Sequence, residues 1–227
     1  MAKLVWDQVG EKLWETGVDQ VALFPFDTTG GYENGVAWSG ITAINESPSG
    51  AEPTKIYADN IVYGVVMSPE EDALTIEAFT YPDEYAECIG EATVGTGAFI
   101  KQQNHKHFGL VYRTMIGNDT AGIDNNNYKL HIFWDCVAGA SEDSNSTIND
   151  SPEQKTFSWS VTALPVAASG FQPTASMVID STKVAPAKLT QILNLIYGTN
   201  ADTDTNTVAT DPTLPTFDTL KGILTAA

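Results

Sequence analysis

The pattern of apolar and polar positions predicts a chain built mainly of β-strands. Residues 108–116, FGLVYRTMI, and residues 128–137, YKLHIFWDCV, are rich in the β-branched and aromatic residues that strands favour. The segment 117–127 between them is rich in Asn, Asp and Gly, which suit a chain reversal, so we predict a hairpin. Residues 155–162, KTFSWSVT, alternate apolar with polar positions, which predicts a further strand with one solvated face.

Three extended segments separated by turn-forming residues lie in the stretch from residue 37 to residue 90. They are residues 38–45, 55–67 and 73–81. Ser-Pro-Ser-Gly separates the first two and Ser-Pro-Glu-Glu-Asp separates the last two. Because both breaks are rich in turn formers, we predict a three-stranded antiparallel meander.

The middle segment of this meander is apolar on both sides near its end. One side carries Ile61, Tyr63, Val65 and Met67, and the other carries Val62, Gly64 and Val66. A strand with one solvated face alternates apolar with polar residues, and this one does not. We therefore expect both faces to be covered, either by a second sheet of the same chain or by a neighbouring subunit.

The C-terminal part of the chain contains one clear helical pattern, over residues 185–197. Leu189, Ile192, Leu193 and Ile196 follow the i, i+3, i+4, i+7 spacing of a helix face that packs on a core. Gly198 provides a stop. Apolar residues between 217 and 224 predict a short terminal helix.

The whole chain predicts one domain, residues 1–227, with three parts. Residues 1–17 form an N-terminal arm, residues 18–180 a β-sandwich or barrel-forming sheet, and residues 181–227 a helical extension that flanks it. In the arm, apolar residues fall at helix-like spacing but Gly10 and Gly17 interrupt them, so a short helix and an arm that orders on a partner are both open.

The charge balance excludes several classes of partner. Eleven Lys and Arg stand against 29 Asp and Glu, giving a net charge of −18 and a pI near 4.2. Sequence-specific nucleic-acid binding and docking on anionic lipid both need a basic surface. The balance remains compatible with a protein past which DNA moves without sticking.

The sequence gives little indication of disulfide bonds, a signal peptide or a membrane-spanning segment. Two cysteines, Cys88 and Cys136, are too few for a disulfide scaffold, and we expect two buried free thiols. The N-terminus has no apolar signal-peptide core, and no apolar run approaches the ~20 residues that span a bilayer. We expect a soluble protein that is made where it folds.

No residue pattern in the chain predicts catalysis, a metal site or a cofactor. His105 and His107 could share one face of a strand, but no third ligand has suitable spacing, so an exposed polar loop is favoured. His131, among apolar residues, predicts a hydrogen-bonded side chain. Asp83 and Glu84 need no glycosidase role in so acidic a chain, and no nucleophile motif is present.

Five aromatic residues could either pack a sheet or stack on sugar rings. They are Trp38, Tyr57, Tyr63, Phe79 and Tyr81. At alternate strand positions, sheet packing is the commoner use.

Long runs of the chain resemble the major tail proteins, or tail tube proteins, of long non-contractile-tailed phages of Gram-positive bacteria. The runs include KLVWDQVGEKLWETGVDQ, FPFDTTGGYENGVAWSG, NESPSGAEPTKIYADNIVYG, EAFTYPDEYAECIG, GLVYRTMIGND, TINDSPEQKTFSWS and PTASMVIDSTKV. They cover most of the chain, and residues 95–107 and 200–215 resemble the family least.

This resemblance implies a structural and non-enzymatic role in the virion. Tail tube proteins form hexameric rings around a continuous inner β-barrel, and the rings stack into a tube that guides DNA from the capsid to the cell. The resemblance implies further partners, namely the tape measure, terminator and distal tail proteins. It implies assembly in the host cytoplasm and no catalytic, metal or cofactor residues.

Two site predictions combine this resemblance with the residue patterns. We expect residues 55–67, with Ile61, Tyr63, Val65 and Met67, and residues 73–81 to belong to the sheet that pairs between subunits. We expect an acidic channel wall that repels phosphate. The candidate acids lie within or beside those strands: Asp59, Asp72, Glu77, Asp83, Glu84 and Glu87.

Two other functions remain open on the sequence. A carbohydrate-binding or adhesin β-sandwich, of a virion or a cell surface, would share the strands and aromatic residues. An enzyme on a β-scaffold is disfavoured by the missing catalytic residues.

Overall fold

The computed structural model describes residues 3–148, 150, 154–201 and 209–226. It is mainly β, with 46% strand and 12% helix, a large antiparallel sheet and a C-terminal helix. The strands are β1 (Leu13–Pro25), β2 (Val36–Ala37), β3 (Ile41–Glu46), β4 (Ser49–Gly50), β5 (Pro53–Ala58), β6 (Ile61–Met67), β7 (Glu70–Ala78), β8 (Ala92–Gly95), β9 (Ala98–Ile100), β10 (Phe108–Asn118), β11 (Gly122–Ala138), β12 (Phe157–Leu164) and β13 (Ser176–Asp180). The helices are α1 (Tyr85–Cys88), α2 (Pro186–Tyr197) and α3 (Phe217–Thr225).

Nine of these strands form one antiparallel sheet. Its order is β2-β1-β10-β11-β12-β7-β3, with β13 also paired to β11 and β4 to β7. β13 and β12 pair with successive parts of the long strand β11, at residues 129–133 and 135–138. The predicted hairpin over residues 108–137 is present as β10 and β11, and its turn is shorter than predicted because both strands extend toward each other.

The sheet folds over a buried apolar cluster, the inner core. This cluster takes residues from β1, β10 and β11 on one side and from β7 and β12 on the other. At its centre the rings of Trp38 and Tyr85 lie 4.3 Å apart, and those of Tyr85 and Trp159 lie 5.2 Å apart. The four-residue helix α1 places Tyr85 and Cys88 in the inner core, where both are fully buried.

A second cluster, the outer core, lies between the opposite side of the sheet and the C-terminal helices. Leu189, Ile192 and Ile196 of α2 are buried there, with Leu193 partly buried and Leu220 of α3 fully buried. These α2 residues form the helix face that the spacing of apolar residues predicts to pack on a core. α2 begins with Pro186 and ends at Tyr197, and it is followed by Gly198, whose φ of 73° suits glycine.

The predicted three-stranded meander is wrong. β5 and β6 pair only with each other, and β3 pairs with β7 across them. The hairpin of β5 and β6 is thus an insertion that leaves the sheet after β4 and returns at β7. Within the segment 73–81, which we expected to belong to the sheet that pairs between subunits, residues 73–78 have both strand edges occupied within the chain, by β12 and β3, so any pairing with another subunit would use a different strand of that sheet.

The boundary of the N-terminal arm also differs from the prediction. β1 starts at Leu13 and not near residue 18, and it pairs with β10 from Leu13 onward. The described part of the arm, residues 3–12, contains no helix. Gly17, with a φ of 71°, lies inside β1 at a register shift, so it bends a strand and does not end one.

Candidate assembly surfaces

The hairpin of β5 and β6 exposes apolar side chains on both faces. Its large hydrophobic residues are between 47% and 75% exposed: Ile56, Tyr57, Ile61, Val62, Tyr63, Val65, Val66 and Met67. An isolated two-stranded hairpin is at best marginally stable in water. Contiguous exposed apolar surface of this kind typically marks an interaction site.

The tip of this hairpin is a tight two-residue turn. Asp59 and Asn60 have φ values of 51° and 64°, the left-handed conformation that two-residue hairpin turns require. The turn fixes the register in which Ala58 faces Ile61. The projection therefore has a defined shape although no other layer of the described residues supports it.

The N-terminal arm is a second exposed apolar segment. Leu4, Val5, Trp6 and Val9 are 64% to 85% exposed. The arm is held to the sheet where Gly10 N donates to Asp119 Oδ1 at 2.9 Å, beside the β10–β11 turn. The apolar residues before this anchor have no buried place within the described chain.

The hairpin of β8 and β9 is the third projection. It pairs with no other described strand, and Val94, Phe99 and Ile100 are 45% to 68% exposed. The Gly-rich composition of residues 93–98 predicts a flexible segment, whereas the structure places a short paired element there.

Two edges of the main sheet have no hydrogen-bonded neighbour strand among the described residues, although parts of β1 and β3 approach each other. One is the edge of β1 over residues 13–20, beyond the reach of the two-residue strand β2. The other is the edge of β3, the last strand of the sheet. Such edges present unpaired backbone groups and invite pairing with another chain.

Ion pairs hold the projecting part of β1 against the sheet. Arg113 donates from Nε and one terminal nitrogen to both carboxylate oxygens of Asp19, at 2.8 and 2.7 Å. The Asp19 carboxylate raises the pKa of Arg113 further. Lys129 donates to Glu15 nearer the strand start. These contacts keep the free edge of β1 in a fixed position.

A polar bridge joins the two halves of the folded sheet. Glu46 on β3 accepts from the hydroxyl of Tyr112 and from Nδ1 of His131 at 2.9 Å. The His131 hydrogen bond, followed by that of Tyr112, lowers the pKa of Glu46, and burial raises the pKa of Tyr112. The Thr114 hydroxyl lies 3.1 Å from the second ring nitrogen of His131. As the sequence predicts, His131 is hydrogen-bonded within the sheet.

The outer face of β3, β7 and β12 carries no covering layer among the described residues, and we call it the bare face. Trp159, Val161 and Ala163 of β12 point into the inner core, whereas Ser158, Ser160 and Thr162 are exposed on the other side. This is the wet face that the alternation in residues 155–162 predicts. Across the pairing register it continues onto β7 and β3 as Thr75, Glu77, Ala43 and Asn45.

The six acids proposed for a channel wall do not share one surface. Glu77 lies on the bare face, and Asp59 is at the tip of the β5–β6 hairpin. Asp72 accepts from Ser176 Oγ at 2.9 Å, and Glu87 pairs with Lys106 at 3.0 Å. Asp83 and Glu84 are exposed just before α1. That these acids face the channel of an assembly stays a prediction.

The paired histidines have separate partners. His105 Nδ1 donates to the carbonyl of Ala138 at 2.7 Å, and His107 Nδ1 donates to Asp135 at 2.6 Å. Within the described ranges, no three His, Cys, Asp or Glu side chains are grouped so that they could hold a metal ion. No helix of the described chain has the length and apolar character needed to cross a membrane.

The aromatic residues divide between the core and the surface. Trp38 is buried, while Tyr57 and Tyr63 are exposed on the β5–β6 hairpin. A groove of about 290 Å³ is lined in part by Phe157 and Trp159, whose rings stack 5.4 Å apart. Lys155 already lies over the Phe157 ring, 4.7 Å from its centroid. Groups of the same chain therefore already contact the Phe157 ring, whereas the rings of Tyr57 and Tyr63 stay accessible.

Both thiols are free and buried, as predicted. Burial raises the pKa of Cys88 to about 12 and raises that of Cys136 as well. Thiols in this state are poor nucleophiles and poor metal ligands.

Sequence reasoning missed the β8–β9 hairpin and the free edge of β1. Phe99 and Ile100 gave an apolar signal for the first, but Gly95 and Gly97 outweighed it. The second has no local sequence signal, because a strand with a neighbour on one edge or on both has the same composition.

No protein-family model matches the chain, and no curated protein matches it.

Proposed function

We propose that this protein is the tail tube subunit of a long non-contractile phage tail. In this role it has no catalytic activity. Six copies close into a ring, and the rings stack into the conduit through which DNA passes into the host. Its partners are further copies of itself and the tape measure, terminator and distal tail proteins. It assembles in the host cytoplasm and resides in the virion.

The observation that carries the proposal is the exposed apolar hairpin of β5 and β6. Eight large hydrophobic side chains on two faces need a cover that the described chain does not supply. The exposed arm and the β8–β9 hairpin add two further projections of the same kind. Several separate apolar projections and two free sheet edges suit a subunit with several neighbours better than a binder with one ligand groove.

The presence of several separate exposed surfaces favours a polymer of many subunits over a simple dimer. Identical subunits that contact through different surfaces form rings when the rotation closes and stacked or helical assemblies when further contacts extend them. Long runs of the sequence resemble tail tube proteins, and this resemblance suggests that the polymer is a phage tail tube. The carbohydrate-binding alternative has less support, since the exposed Tyr57 and Tyr63 share one hairpin with six other exposed large hydrophobic residues, which need a wider cover than a sugar ring provides.

Electron microscopy of the purified full chain at rising concentration tests the proposal. We expect rings or tubes with a central channel. The variant Val65→Asp should stay unassembled, because burying a carboxylate in the covered interface costs free energy even with the Lys55 ammonium on the neighbouring strand. Val65 is 53% exposed in the single chain and lies opposite Lys55, so the free subunit should keep its fold.

Gln191→Glu is the matched control, because it adds the same charge at an exposed position of α2. This variant should assemble like the unaltered chain. A protein that remains monomeric at every concentration, or normal tubes from Val65→Asp, would contradict the proposal.

A further inference from the structure

The outer side of the sheet is divided into two halves of opposite character. Over β1, β10, β11 and β13 it is apolar and covered by α2 and α3. Over β3, β7 and β12 it is the bare face, whose side chains are mostly small, with hydroxyls at half of the paired positions and Leu164 exposed where β12 ends. Its cross-strand rows are Ala43–Glu77–Ser158, Asn45–Thr75–Ser160 and Ala73–Thr162.

The bare face has no positive charge. The three strands that form it contain no Lys or Arg at any position. Its charged groups are Glu77 within the rows and Glu71 where β7 begins. The opposite side of the molecule differs, because Lys183, Lys188 and Lys221 all lie in or next to the helices there.

The bare face is also poorly suited to a protein interface. Hydroxyl groups that are buried without hydrogen-bond partners cost free energy, and interface centres are rich in aromatic residues and Met instead. The β5–β6 hairpin, the N-terminal arm and the β8–β9 hairpin have that apolar character. Assembly through those projections leaves the bare face in contact with water.

We infer that the bare face lines the channel and that the helices face outward, an orientation that rests on the proposed tube function. The partner of this surface is a hydrated polyanion in transit. The wall it presents mixes serine and threonine hydroxyls with alanine and asparagine side chains, and Glu77 is its recurrent charge. Of the six acids considered for the wall, only Glu77 belongs to it.

Phosphate chemistry gives the reason for this orientation. Each lysine or arginine that neutralises a phosphate releases a counterion and adds salt-dependent affinity, so a cationic wall would retain DNA. Hydroxyl groups hold water through hydrogen bonds and carry no charge. A sparse ring of Glu77 carboxylates repels phosphate, and a narrow channel focuses its field.

Cysteine labelling of assembled tubes tests the orientation. Ser160→Cys places a thiol on the bare face, and Gln191→Cys places one on the exposed side of α2. The native thiols are buried, so the unaltered chain measures the background. Each variant is treated with a small maleimide and with one that carries a polymer chain too bulky for the channel, as free subunit and as tube.

Both variants should react with both reagents as free subunits. In tubes, Gln191→Cys should keep both reactions, whereas Ser160→Cys should keep the small-reagent reaction and lose most of the bulky-reagent reaction. Ser158→Cys reports on the same face if Ser160→Cys does not assemble.

Equal bulky-reagent labelling of the two variants in tubes would place the bare face outside and overturn the inference. Loss of both reactions at Ser160→Cys would place the face in an interface and also overturn it. Either outcome leaves the tube function intact. If the unaltered chain forms no rings or tubes, the proposed function fails, and the orientation fails with it.

Discussion

Two hairpins of similar composition have opposite fates in this molecule. In the β10–β11 hairpin, Leu110, Val111 and Ile132 are fully buried. In the β5–β6 hairpin, Ile61 and Tyr63 are 64% and 75% exposed. Both are apolar, both are antiparallel, and both have turns that suit their strands.

The difference lies in what surrounds each hairpin. β10 and β11 sit between the inner and outer cores, so each face packs on a layer of the same chain. β5 and β6 have no neighbouring strand and no covering layer among the described residues. An apolar strand pattern thus predicts that a strand will be covered, but it does not say whether its own chain or another copy provides the cover.

The largest expected effect comes from truncating the buried hairpin. Ile132→Ala removes a fully buried side chain in the outer core and should lower the free energy of unfolding by about 2–5 kcal/mol. Ile61→Ala, the matched change in the exposed hairpin, should alter it by less than about 0.5 kcal/mol. Urea unfolding of the dilute free subunit measures both. Equal losses would show that the two hairpins are equally supported.

The cover that α2 gives the outer core is the next feature to test. Leu193 is only partly buried, in contrast to Ile192, which is fully buried. Leu193→Ala should therefore cost about 1–2 kcal/mol, below the range for full burial, and Ile192→Ala should cost more. Thermal melting of the two variants compares them. An unchanged melting temperature for both would mean that α2 does not stabilise the sheet.

The bridge between β3 and the buried hairpin should give a smaller, pH-dependent effect. Because the folded state lowers the pKa of Glu46 below 4.5, its contribution is present above that pH and is lost as pH falls through the folded-state pKa. Glu46→Gln should cost about 1 kcal/mol at neutral pH, since the carboxylate is partly exposed.

The pH profile of the Glu46→Gln variant separates this contribution from a general loss of packing. Unfolding measured from neutral pH down to about pH 3 should show a weaker acid dependence in the variant than in the unaltered chain. Parallel profiles displaced by a constant amount would assign the bridge a purely steric role.

The smallest effect concerns the two native thiols, which should not react in the folded protein. Burial raises the pKa of Cys88 to about 12, and Cys136 lies on the buried hairpin. A thiol reagent at neutral pH should modify neither until the chain unfolds. Val62→Cys on the exposed hairpin should react at once in the free subunit. Rapid modification of the native thiols would show that the core opens readily.

Local patterns predicted elements better than they predicted partners. The periodicity at Leu189, Ile192 and Ile196 identified α2 and its packing face, and the alternation around Trp159 identified β12 and its wet side. The meander failed because β3 and β7 pair across an inserted hairpin, and neither strand carries a signal for a partner so distant in sequence.

The candidate surfaces divide in the same way. The apolar residues of β6 stood out in the sequence because both faces of one strand were apolar. The bare face did not, because Thr75 and Glu77 join Ser158 and Ser160 only through the pairing of β7 with β12. The acids near α1, Asp83, Glu84 and Glu87, are close to β7 in sequence, but they come after the strand has ended at Ala78 and the chain has left the sheet.

Hydrogen exchange of the β5–β6 hairpin is the most direct test of the central claim, that other copies of the chain cover it. Its amides are measured in the dilute free subunit and in the concentrated, assembled protein. We predict fast exchange over residues 53–67 in the free subunit and strong protection in the assembly, while the amides of β10 and β11 are protected in both. Assembled protein whose hairpin still exchanges as fast as the free subunit would contradict the claim.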